Sequence, residues 1–211
     1  MVRALTEQEH NDIANAIRSS ESRTSGEIYC VLARSSGNYF FVAGFIAAVS
    51  VLLAGLAAAL VLEHWWISVR LPWFAAAQLL AVACALLLLW LAPSLRIALV
   101  PHSVRFRHAH DNALKQFLAR NVHLTAERTG VLLFVSIEER FAEVVADSGI
   151  NAKVPQETWN AVVAGLVAAA REDRLARGFV EAVTAVGDLL AAHFPVRDDD
   201  TNELDDHLVE I

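Results

Sequence analysis

Residues 131–135 read Val-Leu-Leu-Phe-Val, a continuous apolar run that predicts a β-strand buried on both faces. Gly130 interrupts the chain immediately before this run. The polar residues Glu138–Arg140 predict a turn, and Phe141–Ala146 then predicts a second strand that pairs with the first as a hairpin. These two strands are therefore the expected centre of the fold.

Helical patterns lie on both sides of this hairpin. Thr6 and Glu9 have the spacing of a capping box and predict an N-terminal helix, which Glu27–Ala33 follows as a further strand. Three more amphipathic helices are predicted over Ser103–Arg120, from Pro155 onward and over Leu175–Ala192. One strand alone does not make a stable sheet, so we expect Glu27–Ala33 to join the sheet of Val131–Val135.

Two uncharged runs separate the first strand from the rest of this pattern. Residues 39–62 and 71–95 each exceed the roughly 20 helical residues that cross a hydrocarbon core of about 30 Å. The whole chain of 211 residues is 55% hydrophobic and only 19% charged. We interpret the two runs as a transmembrane helical hairpin, with a buried helical hairpin of a soluble core as the alternative.

Charged residues beside the two runs indicate their orientation. Arg34 precedes the first run, and Arg96, Arg105 and Arg107 follow the second, whereas the loop between them has one Arg balanced by Glu63. The positive-inside rule then places both termini in the cytoplasm. The expected location is a bacterial inner membrane.

The expected architecture is one small α/β/α sandwich that a membrane hairpin interrupts after its first strand. Residues 1–38 would supply its first helix and strand, 39–95 the hairpin, 96–196 the remainder, and 197–211 an acidic tail. This tail has one Arg and seven acidic residues. It is interpreted as a solubilising end, with binding to a basic partner surface as the alternative.

Charge and cysteine content exclude several classes of protein. Without the tail the chain is nearly neutral, so it has no basic face for nucleic acid. Two cysteines, Cys30 and Cys84, do not make a disulfide framework and are interpreted as small apolar packing residues.

Several short motifs together resemble the TPM domain family in their order along the chain. They are Leu5–Glu9, Thr24–Ile28, Arg128–Ser136, Glu139-Arg140, Ala146–Ile150 and Arg177–Phe179. The family includes a plant thylakoid lumen protein described as an acid phosphatase, photosystem repair proteins and a receptor-associated membrane protein. The resemblance implies a Rossmann-like α/β/α fold.

The resemblance also implies a possible cation site, because some members of the family bind calcium through acidic loops. This sequence departs from the family there. Arg128 stands where the family usually has an Asp before Asn-Gly, and Glu139-Arg140 stands where it often has Asp-Arg. A cation at residue 128 removes one oxygen ligand, so we expect no cofactor, or at most weakly bound calcium.

Three carboxylates form the nearest set to an active site: Glu138, Glu139 and Asp147. They flank the predicted hairpin, where α/β proteins place ligands, and are candidate metal ligands; the alternative is a solvated turn and strand end. His108 and His110 are two residues apart and face different ways on a helix, so with His102 they are interpreted as a polar patch rather than a metal site.

No catalytic residue is assigned from the sequence. The expected function is a non-catalytic module that assists, modulates or assembles other membrane proteins, with the lipid bilayer and those proteins as partners. The alternative is a metal-dependent phosphatase-like hydrolase, which rests on resemblance of fold.

Overall fold

The computed structural model describes residues 5–125, 127–196 and 203–211. Its elements fall into two compact units, residues 1–36 with 106–211, and residues 37–105. The first unit contains a four-stranded sheet and its helices, and the second contains two long apolar helices. The elements follow in this order along the chain: α1 (Glu7–Glu21), β1 (Glu27–Ala33), α2 (Phe40–His64), α3 (Leu71–Leu91), α4 (Pro93–Leu99), α5 (His102–Ala119), β2 (Gly130–Ser136), β3 (Phe141–Ala146), α6 (Ser148–Asn151), α7 (Gln156–Arg171), α8 (Leu175–His193) and β4 (Leu208–Glu210).

The strands of the sheet come from the parts of the chain before and after the two apolar helices. Its strand order is β3-β2-β1-β4. Strands β1 and β2 are parallel, with Glu27 opposite Gly130 and Ala33 opposite Ser136, and β3 is antiparallel to β2. The predicted pairing of Glu27–Ala33 with Val131–Val135 is therefore confirmed.

Helices cover both faces of this sheet. On β1, the side chains of Ile28, Cys30 and Leu32 pack with residues of α1, α7 and α8, and those of Tyr29, Val31 and Ala33 pack with α5. Every residue of β1 and β2 is buried, as the apolar run in β2 predicts. The mixed α/β class is confirmed, with helical layers on either side of the sheet.

The N-terminal helix begins as the sequence predicts. Thr6 is the N-cap of α1, and its hydroxyl accepts the Glu9 N–H while the Glu9 carboxylate accepts the Thr6 N–H. This reciprocal capping box satisfies two N–H groups that the first turn leaves without helical partners. Ile13 and Ile17 are fully buried on the face that turns to the sheet.

The second unit contains two helices that are long and apolar enough to cross a membrane, α2 and α3. Their mean hydropathies are 2.7 and 2.4, and most of their large apolar side chains are exposed. They pack against each other, and Gln78 Nε2 donates a hydrogen bond of 3.2 Å to the Val51 carbonyl. Cys84 lies on an exposed part of α3, and neither it nor the buried Cys30 forms a disulfide.

The second apolar run ends earlier than the sequence suggests. The predicted span 71–95 is divided into α3, which ends at Leu91, and the short helix α4. Pro93 has no N–H and disfavours a helical conformation at Ala92, whose ψ of 85° ends α3. Arg96 then donates to the free carbonyls of Leu89 and Trp90, at 2.7 and 2.8 Å.

The C-terminal tail also differs from the expectation. Residues 197–202 lie outside the described residues, but Leu208–Glu210 forms β4, parallel to β1 at the edge of the sheet. Leu208 is buried, and the Ile211 carbonyl accepts the Arg34 N–H at 2.8 Å. The apolar residues of this C-terminal end let it add a strand to the sheet. The interpretation of the tail as a solubilising end is therefore wrong for Leu208–Glu210.

Candidate functional site

The carboxyl ends of β1 and β2 meet at one edge of the sheet, where a buried carboxylate binds three hydroxyl-bearing residues. Glu139 Oε2 accepts a hydrogen bond of 2.5 Å from Ser136 Oγ. Glu139 Oε1 accepts the Ser36 N–H at 2.9 Å and the Ser35 hydroxyl at 3.2 Å. Ser36 Oγ also lies 2.8 Å from Ser136 Oγ. We call these four residues the Glu139 cluster.

The backbone explains why Glu139 reaches this position. Beyond the two strands, Ile137 N–H donates to the Ala33 carbonyl and Glu138 N–H donates to the Arg34 carbonyl, which extends the ladder into the turn. Arg140 then takes a left-handed conformation with φ of 54° and reverses the chain into β3. Glu139 is 4% exposed as a result, and both its oxygens point towards the end of β1.

The helix α5 extends this polar network. Asn112 Nδ2 donates to Ser36 Oγ at 3.3 Å, and Gln116 Nε2 donates to Asn112 Oδ1 at 3.4 Å. The Glu139 cluster thus connects the turn after β2, the segment after β1 and α5. Such a network of satisfied hydrogen bonds holds its members in one arrangement.

Of the other sequence candidates, Glu138 lies on the solvent side of the same turn. It is half-buried, and its carboxylate is 3.8 Å from Arg34 Nε. A surface pair of this kind contributes little to stability. Adjacent residues of one turn therefore have different environments, with Glu139 directed into the protein and Glu138 directed outwards.

Asp147 lies at the amino end of β2, far from the Glu139 cluster, because β3 runs antiparallel to β2. The length of β3 separates it from the Glu139 cluster by roughly 17 Å at about 3.4 Å per residue. Asp147 is the N-cap of α6, and its Oδ1 accepts the Ser148 N–H at 2.5 Å. The structure therefore brings Glu138 and Glu139 into one turn and places Asp147 elsewhere.

The loop before β2 holds Arg128 near this end of the strand. Arg128 is exposed and left-handed, with φ of 57°. A Cβ on Gly149 would lie 2.6 Å from the Arg128 carbonyl, so glycine is what allows α6 to approach this loop. Within the residues that the structure describes, no group of three or more His, Cys, Asp or Glu side chains is arranged to hold a metal ion.

His110 of α5 has a carboxylate partner that the sequence analysis did not identify. His110 Nδ1 lies 2.9 Å from both carboxylate oxygens of Glu143 on β3. His108 is exposed on another face of the helix, as its spacing of two residues predicts. Glu143 is the polar residue in an otherwise apolar strand, which is the signal that could have identified it.

A second missed carboxylate, Glu21, lies at the amino end of β1. Its Oε1 accepts the Ile28 N–H at 2.8 Å. The pKa of Glu21 is raised to about 9, mainly by burial and also by the nearby carboxylates of Glu27 and Asp206, while the hydrogen bond from Ile28 lowers it. Asp206 belongs to the C-terminal tail, so this carboxyl group lies where the tail approaches α1.

Protonation of Glu21 makes stability depend on pH. Its pKa is higher in the folded protein than the ordinary 4.5, so the folded state holds a proton that the unfolded state releases between pH 4.5 and 9. The contribution of Glu21 is thus greatest below pH 4.5 and decreases as pH rises through 9. We expect Glu21→Gln to raise the melting temperature above that of the natural protein at pH 8, and to change it less at pH 4.5.

Thermal melts of the detergent-solubilised protein across this pH range measure the difference. Glu157→Gln is the control, because it removes an exposed carboxylate from the first turn of α7. The prediction fails if the advantage of Glu21→Gln over the natural protein does not grow with pH.

A groove opens beside the Glu139 cluster, between the β2–β3 turn and α7. Its volume is about 410 Å³. Apolar side chains of the sheet and helices form its walls, and two exposed arginines, Arg140 and Arg171, lie among its lining residues. No sequence pattern indicates this groove, because its two arginines are distant along the chain.

Comparison with known proteins identifies the domain. The family model described as the TPM domain matches residues 94–189, a stretch that begins in α4 and ends in α8. The solved structure of the BA42 protein from the psychrophilic bacterium Bizionia argentinensis is similar, with 20% identity and a TM-score of 0.61. That alignment covers 99% of this chain and 97% of the other, and at this identity it shows the fold alone. No curated protein matches the chain significantly.

Proposed function

We propose that this chain, which carries a TPM domain, is an integral membrane protein whose domain is a non-catalytic module that modulates or assembles other membrane proteins. The observation that carries the proposal is the Glu139 cluster. The carboxyl edge of the sheet is where α/β proteins usually bind ligands, and here its buried carboxylate hydrogen-bonds Ser35, Ser36 and Ser136. This carboxylate is used to fix the segment that follows β1.

Fixing that segment suits a membrane-anchored module. Ser35 and Ser36 directly precede the residues that lead into α2, one of the two helices that are long and apolar enough to cross a membrane. The hydrogen bonds of Glu139 hold this segment to the sheet at the point where the chain leaves it. A carboxylate that accepts these hydrogen bonds is engaged as a structural acceptor, which supports a non-catalytic role.

The pairing of strands in the sheet supports two crossings of the membrane. Strand β1 precedes α2 and strand β2 follows α3, yet both belong to one sheet. A chain that pairs these strands has to return to the side from which it left, which requires an even number of spans. With the positive-inside rule, the proposal places both termini in the cytoplasm of a bacterial inner-membrane protein.

Reporter fusions test this topology. We expect a reporter joined by a flexible linker after Ile211 to be active in the cytoplasm, and a reporter in the loop 63–70 to be active outside it. A fusion truncated at residue 66, after α2 alone, is the control and is expected to report the outside. A cytoplasmic signal from the loop would contradict the proposal.

The alternative, a metal-dependent phosphatase-like hydrolase, has one specific observation in its favour. Asp147 is 6% exposed, and its Oδ2 has no hydrogen-bond partner among the described residues. A buried carboxylate oxygen of this kind suits a cation. Opposing this, the loop that approaches α6 carries Arg128, and its positive charge disfavours a cation there.

Calcium titration and a phosphatase assay separate the two functions. We expect no micromolar calcium binding by calorimetry and no turnover of a phosphomonoester by the solubilised protein. Arg128→Asp is expected to gain calcium affinity, since it restores an oxygen ligand and removes the like charge. Micromolar binding by the natural protein, or turnover that Asp147→Ala abolishes, would instead establish the hydrolase.

A further inference from the structure

The groove beside the β2–β3 turn has mainly apolar walls. Its walls include Val135, Phe141, Leu166 and Leu175, each less than a tenth exposed. The volume of about 410 Å³ falls within the range of roughly 300–1,000 Å³ typical of small-molecule sites. Apolar walls of this kind favour an apolar occupant, because the transfer of methylene groups from water to apolar surroundings is favourable.

Two guanidinium groups belong to the same groove. Arg140 lies in the turn between β2 and β3, and Arg171 ends α7. Among the described residues, neither forms a salt bridge or a hydrogen bond with a carboxylate. Other surface arginines do: Arg23 pairs with Asp188, and Arg177 pairs with Glu181. The two groove arginines are therefore available for an anion.

Ser136 is the remaining residue of the lining with a polar side chain, and its hydroxyl already has hydrogen-bond partners. The Ser136 hydroxyl donates to Glu139 and lies within hydrogen-bond distance of Ser36 Oγ. The groove thus offers apolar walls and two cationic side chains. This distribution favours a ligand that has both an apolar chain and an anionic group.

We propose that this groove binds a fatty acid, with its acyl chain against the apolar walls and its carboxylate held by Arg140 and Arg171. The planar guanidinium matches a carboxylate with two parallel hydrogen bonds. A chain of about ten to twelve carbons fits the volume, since a methylene fills about as much space as a water molecule, about 30 Å³. The groove shares Ser136 with the Glu139 cluster, but the proposed ligand contacts do not depend on the proposed function.

Photolabelling tests the site in the complete protein. A dodecanoic acid with a diazirine in its chain is added to the protein in phosphatidylcholine nanodiscs, and labelled peptides are mapped by mass spectrometry. We expect labels within residues 141–142 and 166–175. Arg140→Gln combined with Arg171→Gln is expected to reduce this labelling at least tenfold. Arg177→Gln, which removes an arginine elsewhere, is expected to leave it unchanged.

A second variant separates the role of the walls from that of charge. Val167→Phe places a larger side chain in the groove, retains both arginines, and is also expected to abolish labelling. Thermal melts show whether each variant is folded, and unlabelled competitors applied to the natural protein give a measurement that needs no variant. Dodecanoate is expected to compete at least tenfold better than dodecanol.

Several results would overturn the proposal. Equal competition by dodecanol would show that the arginines do not recognise the headgroup. Stronger competition by dodecyl phosphate, or by a peptide with an apolar C-terminus, would assign the groove to a different ligand. Labels confined to α2 and α3 would show that the probe enters the nanodisc lipid rather than the groove.

Discussion

Replacement of Gly130 by alanine is expected to destabilise the protein by about 3 kcal/mol or more, as overpacking against a fixed backbone does. Gly130 is the first residue of β2, and a Cβ there would lie 2.0 Å from the Val122 carbonyl oxygen. That oxygen belongs to a short 3-10 turn and cannot rotate away as a side chain can. The clash can be relieved only if the turn or the strand moves.

Denaturation of the solubilised protein, followed by circular dichroism, measures this effect. Gly165→Ala is the matched control, because a Cβ on Gly165 meets nothing within 4 Å in the middle of α7. It is expected to raise stability by about 0.5–1 kcal/mol, the difference between glycine and alanine in a helix. Equal stability of the two variants would show that the Val122 carbonyl does not restrict residue 130.

Replacement of Glu139 by alanine is expected to have an effect of similar size, about 2–4 kcal/mol, because it removes several hydrogen bonds to a buried charged acceptor. The Ser136 hydroxyl is fully buried and would lose an acceptor at 2.5 Å. The Ser36 N–H would lose its acceptor at 2.9 Å. The segment that joins β1 to the second unit would then be held less firmly.

Two measurements distinguish this role from a general loss of stability. Thermal melts give the change in stability, and trypsin cleavage after Arg34 reports whether the segment has been released. Glu138→Ala is the control, since Glu138 makes a solvent-exposed pair with Arg34 and is expected to change stability by less than about 0.5 kcal/mol. If Glu139→Ala is no more sensitive to trypsin than Glu138→Ala, Glu139 does not hold the segment.

The sequence predicts the central strands well because their patterns are strong and local. The run Val131–Val135 lies within β2, and Phe141–Ala146 has the observed limits of β3. The distant pairing of β1 with β2 follows from a simple requirement, that a lone strand needs a partner. Strand β4 could not be found in this way, because three residues in an acidic segment become a strand only where β1 offers a free edge.

The candidate site was harder to predict because it depends on contacts between distant residues. Glu139 was identified as a candidate ligand, but besides Ser136 it accepts hydrogen bonds from Ser35 and Ser36, about a hundred residues earlier. Serines before an apolar helix show no pattern that reveals this contact. Asp147 is close to Glu139 in sequence and distant in space, since an antiparallel strand carries the chain to the other end of β2.

The parallel pairing of β1 also determines when the protein can fold during its synthesis. Strand β1 leaves the ribosome first, and Gly130 follows Glu27 by about a hundred residues, which takes roughly 5–20 s at 5–20 residues per second. During that interval both apolar helices are made, and β1 has neither neighbour. The other edge of β1 stays open until Leu208–Glu210 has left the ribosome. Completion of the sheet therefore depends on synthesis having reached residue 210 and on the chain after α3 having come back to β1.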